Sequence, residues 1–251
     1  MLALEYCSRI VEAIEKIKTT QMDAISQAAE EIAIRLEKGG LLYVFGTGHS
    51  HMLAEEVYHR AGGLLQARAV VPHEISTDLA MRKSTLMERL EGVADVVFAT
   101  HKIRSCDALI LVSNSGRNPV PIQMAREARN KGIFTVALTN LAHSESVESR
   151  EKTGKKLYEL CDVVLDTCGP RGDALIPIPG RDYSMAPSST VLGALVIESL
   201  VCSIVETMIS HGFQPLIRRS ANLDGNDDHN QKIKEQLLEQ FPELKDVLIV
   251  F

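Results

Sequence analysis

A glycine-rich loop with a hydroxyl at its end is the first part of the chain whose residue types could do chemistry. It runs from Gly46 to Ser50 (GTGHS), between an apolar run and a helical pattern. Glycines allow positive φ angles and a close approach of a ligand to the backbone, and a helix start presents free N–H groups to an anion. Ser50 either adds a hydroxyl to such a site or only caps the helix. The loop indicates an anion site, with a tight structural turn as the alternative.

Two common phosphate motifs do not fit this loop. A dinucleotide-binding turn would have a third glycine at position 51, where His51 stands. A P-loop would have the sequence Gly-Lys-Ser or Gly-Lys-Thr, which is missing here. The sequence therefore predicts no nucleotide and no other cofactor.

A second polar loop has the same composition of hydroxyls and glycine. It runs from Ser113 to Asn118 (SNSGRN), follows the apolar run ALILV and precedes a helical pattern that begins near Pro119. Proline suits a first helical position. Two serines on alternate positions, a glycine and a helix start predict a second cradle for an oxyanion, and a polar strand-to-helix turn is the alternative.

The elements that must position these loops alternate along the chain. Apolar runs of strand length, bounded by turn residues, occur at 41–45, 67–71, 108–112, 133–138 and 162–166. Helical patterns occur at 4–37, 50–61, 83–91, 119–131, 151–160 and 188–211, and a last amphipathic helix follows the polar segment 222–231. Such alternation predicts an α/β fold with a parallel sheet covered on both faces. Ligands bind at the carboxyl ends of such strands, which is where both loops lie.

Composition limits the class of protein. The chain has 251 residues, a net charge of −6, no tryptophan and no basic stripe, so nucleic acid is not an expected partner. Its longest apolar stretch, 191–205, is interrupted by Gly193, Glu198 and two serines and falls short of the ~20 residues of a membrane span. No signal peptide is recognisable, so the expected location is the cytoplasm. Five unpatterned cysteines predict reduced thiols and neither a disulfide framework nor a zinc site.

The two loops together resemble the phosphosugar-binding signatures of the sugar isomerase (SIS) domain family. The resemblance covers about residues 20 to 215 and includes Pro187-Ser188-Ser189-Thr190 before the last long helix. The segments GTGHSHMLAEEVYHRAGG, SNSGRNPVPIQMA and GKKLYELCDVVLD are similar to the UPF0309 group within that family. The resemblance implies a three-layer αβα sandwich around a five-stranded parallel sheet of the doubly wound, flavodoxin-like type. It also implies a bound sugar phosphate or amino-sugar phosphate, and a homo-oligomer, dimer or tetramer.

The chain is expected to form one SIS domain over 1–251, with an N-terminal helix (1–38), a core (39–215) and a C-terminal extension (216–251). By resemblance, the serines of the two loops hold the phosphate, and their neighbours supply further contacts. The residues assigned to the site are Gly46, Thr47, Gly48, His49, Ser50, Ser113, Asn114, Ser115, Gly116, Asn118, Ser189 and Thr190. Asn118 replaces the threonine that is usual at its position.

The catalytic base is the least defined part of the site. Phosphoheptose isomerases and N-acetylmuramic acid 6-phosphate etherases have a catalytic glutamate ten residues after the first-loop serine, where this chain has Arg60. Glu56, one turn earlier, is the first candidate, with Arg60 as its pairing partner or as a second anion contact. Glu198, a carboxylate in an apolar helical run, and His59, one turn after Glu55, are the other candidates.

Several other polar residues have a structural interpretation beside a functional one. Glu88 and Glu91 resemble part of an etherase motif or belong to a solvated helix face. Arg171 contacts the substrate or only Asp173. No metal is assigned to the site, because the pair His49 and His51 diverges on a helix, and the acidic run 224–228 does not fit a calcium loop.

Three functions are compatible with this pattern. The first is an aldose–ketose isomerase of phosphosugars that works through an enediol. The second is a lyase of the etherase type, which the sequence SGRNP favours. The third is a non-catalytic sugar-phosphate sensor, although the helical pattern at 4–37 has no basic recognition helix behind a tight turn.

Overall fold

The computed structural model describes residues 1–77 and 81–248. A sheet of five parallel strands has the order β2-β1-β3-β4-β5. The strands are β1 (Leu42–Gly46), β2 (Ala67–Val70), β3 (Ala108–Val112), β4 (Phe134–Thr139) and β5 (Val163–Asp166). This order reverses direction between β1 and β3, as in doubly wound sheets. The predicted fold class is confirmed.

Helices cover both faces of the sheet because the strand side chains alternate between two apolar clusters. The helices are α1 (Leu2–Thr20), α2 (Met22–Glu37), α3 (His51–Val57), α4 (Met81–Met87), α5 (Val93–His101), α6 (Pro119–Asn130), α7 (Leu141–Glu145), α8 (Ser189–Ser210), α9 (Asn226–Gln240) and α10 (Lys245–Leu248). Leu42 and Val44 join α1, α2, α3 and α8 in one cluster. Leu41, Tyr43 and Phe45 join α5, α6 and α9 in the other. The result is a three-layer sandwich.

The prediction of one continuous helix over 4–37 is wrong, because α1 ends at Thr20 and α2 begins at Met22. The hydroxyls of Thr19 and Thr20 donate to main-chain carbonyls of the preceding turn, a contact that bends helices. The side-chain oxygen of Gln21 accepts a hydrogen bond from the N–H of Asp166. The break therefore fits the N-terminal helices to the last strand of the sheet.

Other predicted elements differ in extent. The segment 151–160 contains only a short 3₁₀ turn at Leu157–Glu159, and α3 ends at Val57 and not at 61. The helix predicted at 83–91 ends at Met87, so Glu88 and Glu91 lie after it. Helix α9 begins inside the segment predicted to be a polar lead-in. The last residues of the predicted C-terminal extension, 249–251, lie outside the described residues, and the single-domain organisation stays a prediction.

Helices α5 and α7 were not predicted, and neither was an antiparallel hairpin of β6 (Ala174–Pro177) and β7 (Ser184–Pro187) before α8. It packs against α1, and the Tyr6 hydroxyl donates to the carbonyl of Pro187. The hairpin carries the chain from the end of β5 to the start of α8.

Helix α8 is, by length and composition alone, the one helix of the described residues that could cross a membrane. Core helices of soluble proteins meet the same criterion. Eight residues of α8 are buried, and the helix packs against α2 and α3. This packing is consistent with a soluble protein.

Candidate functional site

The two polar loops lie side by side at the carboxyl edge of the sheet. Strands β1 and β3 pair in parallel, with Gly46 opposite Val112, so the loops that follow these strands begin at the same level. This position is the point where the strand order reverses, which is the usual ligand position in open α/β sheets.

A cavity of about 180 Å³ opens between these loops. Its walls come from α3, from the ends of β3, β4 and β5, and from the start of α8. The lining residues are His49, Ser50, Leu53, Val112, Asn114, Leu138, Thr139, Thr167, Asp173, Ser189 and Thr190. Five of the residues assigned to the site from sequence therefore face one space: His49, Ser50, Asn114, Ser189 and Thr190.

The first loop turns tightly because of its glycines. A Cβ atom at Gly46 would lie 2.4 Å from the carbonyl oxygen of Ser50, so no other residue fits there without a shift of the backbone. Gly48 has a φ of +55°, and a 3₁₀ turn over Gly48–Ser50 leads into α3. Ser50 occupies the N-cap position of α3, but its side chain makes no capping hydrogen bond. Its hydroxyl is thus available to a ligand.

The second loop is held by hydrogen bonds of its own. The N–H of Gly116 donates to Ser113 Oγ (3.2 Å), and Thr139 Oγ1 donates to the carbonyl of Ser113 (2.7 Å). Gly116 has a φ of +55°. Ser115 is half-buried, and no described residue is hydrogen-bonded to its hydroxyl. Ser113 is therefore engaged in the loop, whereas the hydroxyl of Ser115 is free. Neither serine is among the residues that line the cavity.

The start of α6 does not supply free N–H groups, which corrects the expectation from sequence. Pro119 and Pro121 have no N–H, and the N–H of Val120 donates to the carbonyl of Glu88 at 3.2 Å. An anion at this loop must be bound by hydroxyls and loop amides and not by the first three residues of the helix.

Several buried polar atoms near the cavity have no hydrogen-bond partner. They are Asn114 Oδ1 and Thr167 Oγ1 on the cavity wall, Arg117 Nε in the second loop, and Ser144 Oγ next to Gly116. A buried polar atom without a partner costs about 1–3 kcal/mol. The two on the cavity wall, Asn114 Oδ1 and Thr167 Oγ1, fit a ligand rich in oxygen, whose hydroxyl groups would satisfy them.

Asp173, like Thr139 and Thr167, is a polar residue of the cavity wall that was not assigned to the site from sequence. It has a φ of +74° and directly precedes β6 in the chain, but its side chain contacts the start of α8. Its Oδ1 accepts hydrogen bonds from the N–H groups of Ser188 (2.9 Å) and Ser189 (2.7 Å), and Ser189 Oγ donates to Oδ2 (2.7 Å). Asp173 therefore caps α8 from 15 residues away and holds Ser189 and Thr190 in the cavity wall. No local pattern in the sequence signals such a cap.

Glu88 contacts both the first loop and the start of α6, which follows the second loop. Thr47 Oγ1 donates to Glu88 Oε2 at 2.8 Å, and the Glu88 carbonyl accepts the N–H of Val120 as described above. Glu91, by contrast, is exposed and forms an ion pair with Lys152 at 2.8 Å. Of the two glutamates with an etherase-like position, only Glu88 contacts the first loop.

Glu56, Glu198 and His59, the three catalytic candidates from sequence, do not line the cavity. Glu56 forms an ion pair with Arg60. Partial burial raises the pKa of Glu198, the nearby Arg60 opposes this shift, and Glu56 adds to it. These three charged residues therefore cluster between α3 and α8, and Glu198 Oε1 is buried without a partner.

His59 and Asn118 also differ from expectation. His59 is not on a helix, because α3 ends at Val57 and His59 has a φ of +51°. It does not face the same way as Glu55 along a helix. The Oδ1 of Asn118 accepts a hydrogen bond from the Arg150 guanidinium at 3.0 Å, and Asn118 does not line the cavity.

Titratable groups also surround His143, which follows β4. Its Nδ1 accepts the N–H of Gly172 at 3.3 Å. Burial lowers the pKa of His143, Asp173 opposes this shift, and Arg117 and Arg171 lower it further. Arg171 therefore lies near His143 and Asp173 at the edge of the site.

Metal ligands are not grouped in the part of the chain that the structure describes, where no cluster of three or more His, Cys, Asp or Glu side chains is suited to an ion. His51 is buried, and its Nδ1 is hydrogen-bonded to the Gly48 carbonyl at 2.5 Å. His49 is exposed on the cavity wall. The two imidazoles thus have different surroundings.

Comparison with known proteins defines the class. The family profile described as SIS domain matches residues 5–140, and the chain belongs to the SIS domain family. Within it, a UPF0309 protein of Halalkalibacterium halodurans is 40% identical over 229 residues, which cover 91% of this chain and 95% of that relative. The resemblance to both groups is confirmed.

Solved structures share the fold. A phosphoheptose isomerase from Francisella tularensis has a TM-score of 0.52 at 19% identity, covering 81% of this chain and 96% of that one. The Vibrio vulnificus NanR protein complexed with ManNAc-6P has a TM-score of 0.52 at 16% identity, covering 96% of this chain and 70% of that one. At these identities the likeness concerns the fold alone.

Proposed function

We propose that the two loops bind a sugar phosphate, with the phosphate between Ser50 and Ser115 and the sugar in the adjoining cavity. The observation that carries this proposal is the pair of hydroxyls that no other described residue engages, at neighbouring strand ends. Hydroxyls bind a phosphate dianion by charge-assisted hydrogen bonds. The family membership and the sugar phosphate bound to the NanR protein support the same class of ligand.

The sugar is bound by other polar groups of the cavity wall. Asn114 Oδ1 and Thr167 Oγ1 lack partners there, and Thr190 adds a hydroxyl near the start of α8. Sugar hydroxyls donate and accept hydrogen bonds and would satisfy these atoms. A thermal-shift screen of phosphorylated sugars and amino sugars tests the proposal, since a ligand at ~100 times its Kd adds about 2.7 kcal/mol of stability. A screen in which no sugar phosphate raises the Tm contradicts it.

The reaction that suits such a site is aldose–ketose isomerisation. A base removes the proton at C2 of the open-chain sugar and returns it at C1 through an enediol, so it must reach the bound sugar. Asp173 lines the cavity, but its oxygens are occupied at the start of α8. His49 lines the cavity beside Ser50, and no hydrogen bond joins its ring to a described residue. We therefore assign the proton transfer to His49 and not to Glu56.

Replacement of His49 by asparagine is expected to slow solvent-deuterium exchange at the sugar C2 by about a hundredfold or more, the usual contribution of a general base. Glu56→Gln is the matched comparison, because Glu56 is paired with Arg60 outside the cavity lining. NMR of the sugar in deuterated buffer measures both rates. Fast exchange in His49→Asn together with loss in Glu56→Gln would return the base to Glu56.

A sugar-phosphate sensor is the second candidate, and one observation favours it. None of the described cavity-lining residues is a carboxylate without hydrogen-bond partners. A protein that binds a sugar phosphate with normal affinity but exchanges no proton in the wild type would be such a sensor.

We also propose that the chain forms a homo-oligomer through α1 and α8. Large apolar side chains are exposed on both helices, including Leu4 (63%), Val11 (56%) and Val191 (43%). Helices α1 and α8 pack against each other and lie on the same face of the sheet. Apolar patches of this kind mark protein interfaces.

Sedimentation equilibrium at micromolar concentration is expected to give at least a dimer, and Val11→Glu is expected to shift it toward the monomer. A buried charge without a partner at an interface costs several kcal/mol. Val96→Glu is the control, because Val96 is equally exposed (64%) but lies on α5 on the other face of the sheet. A monomeric wild type, or equal dissociation by both substitutions, contradicts this proposal.

A further inference from the structure

A buried arginine without a carboxylate partner lies far from the two loops, on the edge strand β2. Arg68 is only 6% exposed. Its Nη1 donates to the carbonyls of Leu65 (3.0 Å) and Ala67 (2.7 Å), but its Nε is buried and has no acceptor. A buried charge is costly unless it is paired. The carbonyls satisfy part of the guanidinium and leave its charge uncompensated.

A second arginine, Arg218, is held next to Arg68 by the main chain. The N–H of Arg218 donates to the Gly63 carbonyl (3.0 Å), and the Arg218 carbonyl accepts the N–H of Gly62 (2.9 Å). A bridge between Leu64 and Ile217 continues this pairing. Segment 216–218 therefore runs beside residues 62–64, which lead into β2. This pairing places the positive charges of Arg218 and Arg68 close together.

Both arginines line a common cavity of about 290 Å³. His59 and Lys234 add basic side chains to its wall, and Asp227, at the start of α9, is its only carboxylate among the described lining residues. None of the ion pairs formed by the described residues includes Arg68, Arg218 or Lys234. This cavity shares no lining residue with the cavity between the loops.

Without a bound anion, burial and the nearby Arg218 destabilise the charged form of Arg68. Burial lowers the pKa of Arg68, Tyr58 and Tyr43 oppose this shift, and Arg218 lowers it further. Burial also lowers the pKa of Arg218. Arginine forks match phosphate oxygens, so one dianion between them would neutralise both charges and supply an acceptor for the free Nε.

We propose that Arg68 and Arg218 form a second anion site that binds a phosphate dianion, either free or carried by a small molecule. The site is independent of the proposed sugar-phosphate cradle, since it uses other elements and other side chains. Lys234 adds a third positive charge at its rim. His59, which sequence analysis assigned to catalysis, belongs to the wall of this second site.

Equilibrium dialysis with inorganic phosphate at fixed ionic strength tests the proposal. The wild type is expected to bind two phosphates per chain, and Arg218→Gln only one, with affinity at the lost site reduced about tenfold or more. Arg219→Gln is the matched control, because Arg219 is the exposed neighbour, and its main-chain N–H and carbonyl form hydrogen bonds with the Asn230 side chain. It is expected to retain both phosphates.

A double variant, Ser50→Ala with Ser115→Ala, separates this proposal from the proposed function. It is expected to lose the other phosphate and to keep the one that depends on Arg218. Circular dichroism of Arg218→Gln checks that the variant is folded. Arg68→Met, which keeps the length of the side chain without its charge, is expected to give the same loss. Unchanged phosphate binding in folded Arg218→Gln, or an equal loss in Arg219→Gln, overturns the proposal.

Discussion

Alanine in place of Ser50, and separately of Ser115, is expected to weaken sugar-phosphate binding about ten- to a hundredfold each while the protein stays folded. Each change removes one hydrogen bond to a charged group, worth about 1.5–3 kcal/mol. Neither hydroxyl is hydrogen-bonded to a described residue, so its loss leaves no unsatisfied partner in the fold. Isothermal titration with the sugar phosphate that gives the largest thermal shift measures the effect.

Ser26→Ala is the control for general effects of losing a hydroxyl, because Ser26 is exposed on α2, remote from the cavity. In the double variant the two losses of binding free energy are not expected to add, since both serines contact one ligand and are coupled. If both single variants bind as tightly as Ser26→Ala, the phosphate does not lie between the loops.

Replacement of Asp173 by alanine is expected to have the largest effect on stability, about 2–4 kcal/mol. Loss of a helix cap costs about 0.5–2 kcal/mol, and buried donors left without an acceptor cost about 1–3 kcal/mol. Ser188 is fully buried, and its N–H and hydroxyl both donate to Asp173. Urea denaturation of the variant and the wild type measures the free energy of unfolding.

The same substitution is expected to weaken sugar-phosphate binding, because Asp173 positions Ser189 and Thr190 in the cavity wall. Asp182→Ala is the control, since Asp182 is exposed in the turn of the β6–β7 hairpin. An Asp173→Ala variant as stable as Asp182→Ala would mean that α8 does not depend on this cap.

The five strands of the parallel sheet could be predicted from sequence to within a residue or two, whereas the two strands of the β6–β7 hairpin could not. Strand β3 was predicted exactly at 108–112, and β1 differs by one residue at each end. These segments are buried on both faces, so their apolar runs are nearly continuous and their ends coincide with turn residues. The loops at their carboxyl ends followed from the same pattern.

Features that depend on distant contacts could not be predicted. The cap by Asp173 joins residues 15 positions apart, and the break at Gln21 depends on a hydrogen bond to Asp166. Helical periodicity is continuous across Gln21 because both halves bury the same face. Local spacing in the sequence does not predict such contacts between distant residues.

The candidate site could be predicted in part, because the order of strands and loops along the chain fixes where each loop lies. Position along the chain placed Ser50 and Asn114 at the edge of the sheet, and both line the cavity. The position of Glu56 on α3 was also correct, but the direction of its side chain depends on Arg60 and on the packing of α8. Spacing alone does not define this direction, and the catalytic roles assigned to Glu56, Glu198 and His59 stay untested predictions.

A crystal structure with a bound sugar phosphate tests the central claim most directly. The probe is the compound with the largest thermal shift in a panel that includes N-acetylmannosamine 6-phosphate and fructose 6-phosphate. We expect its phosphate oxygens within hydrogen-bond distance of Ser50 Oγ and Ser115 Oγ, and its hydroxyls against Asn114 and Thr167. A sugar phosphate bound elsewhere on the chain, with neither serine in contact with its phosphate, would contradict the account.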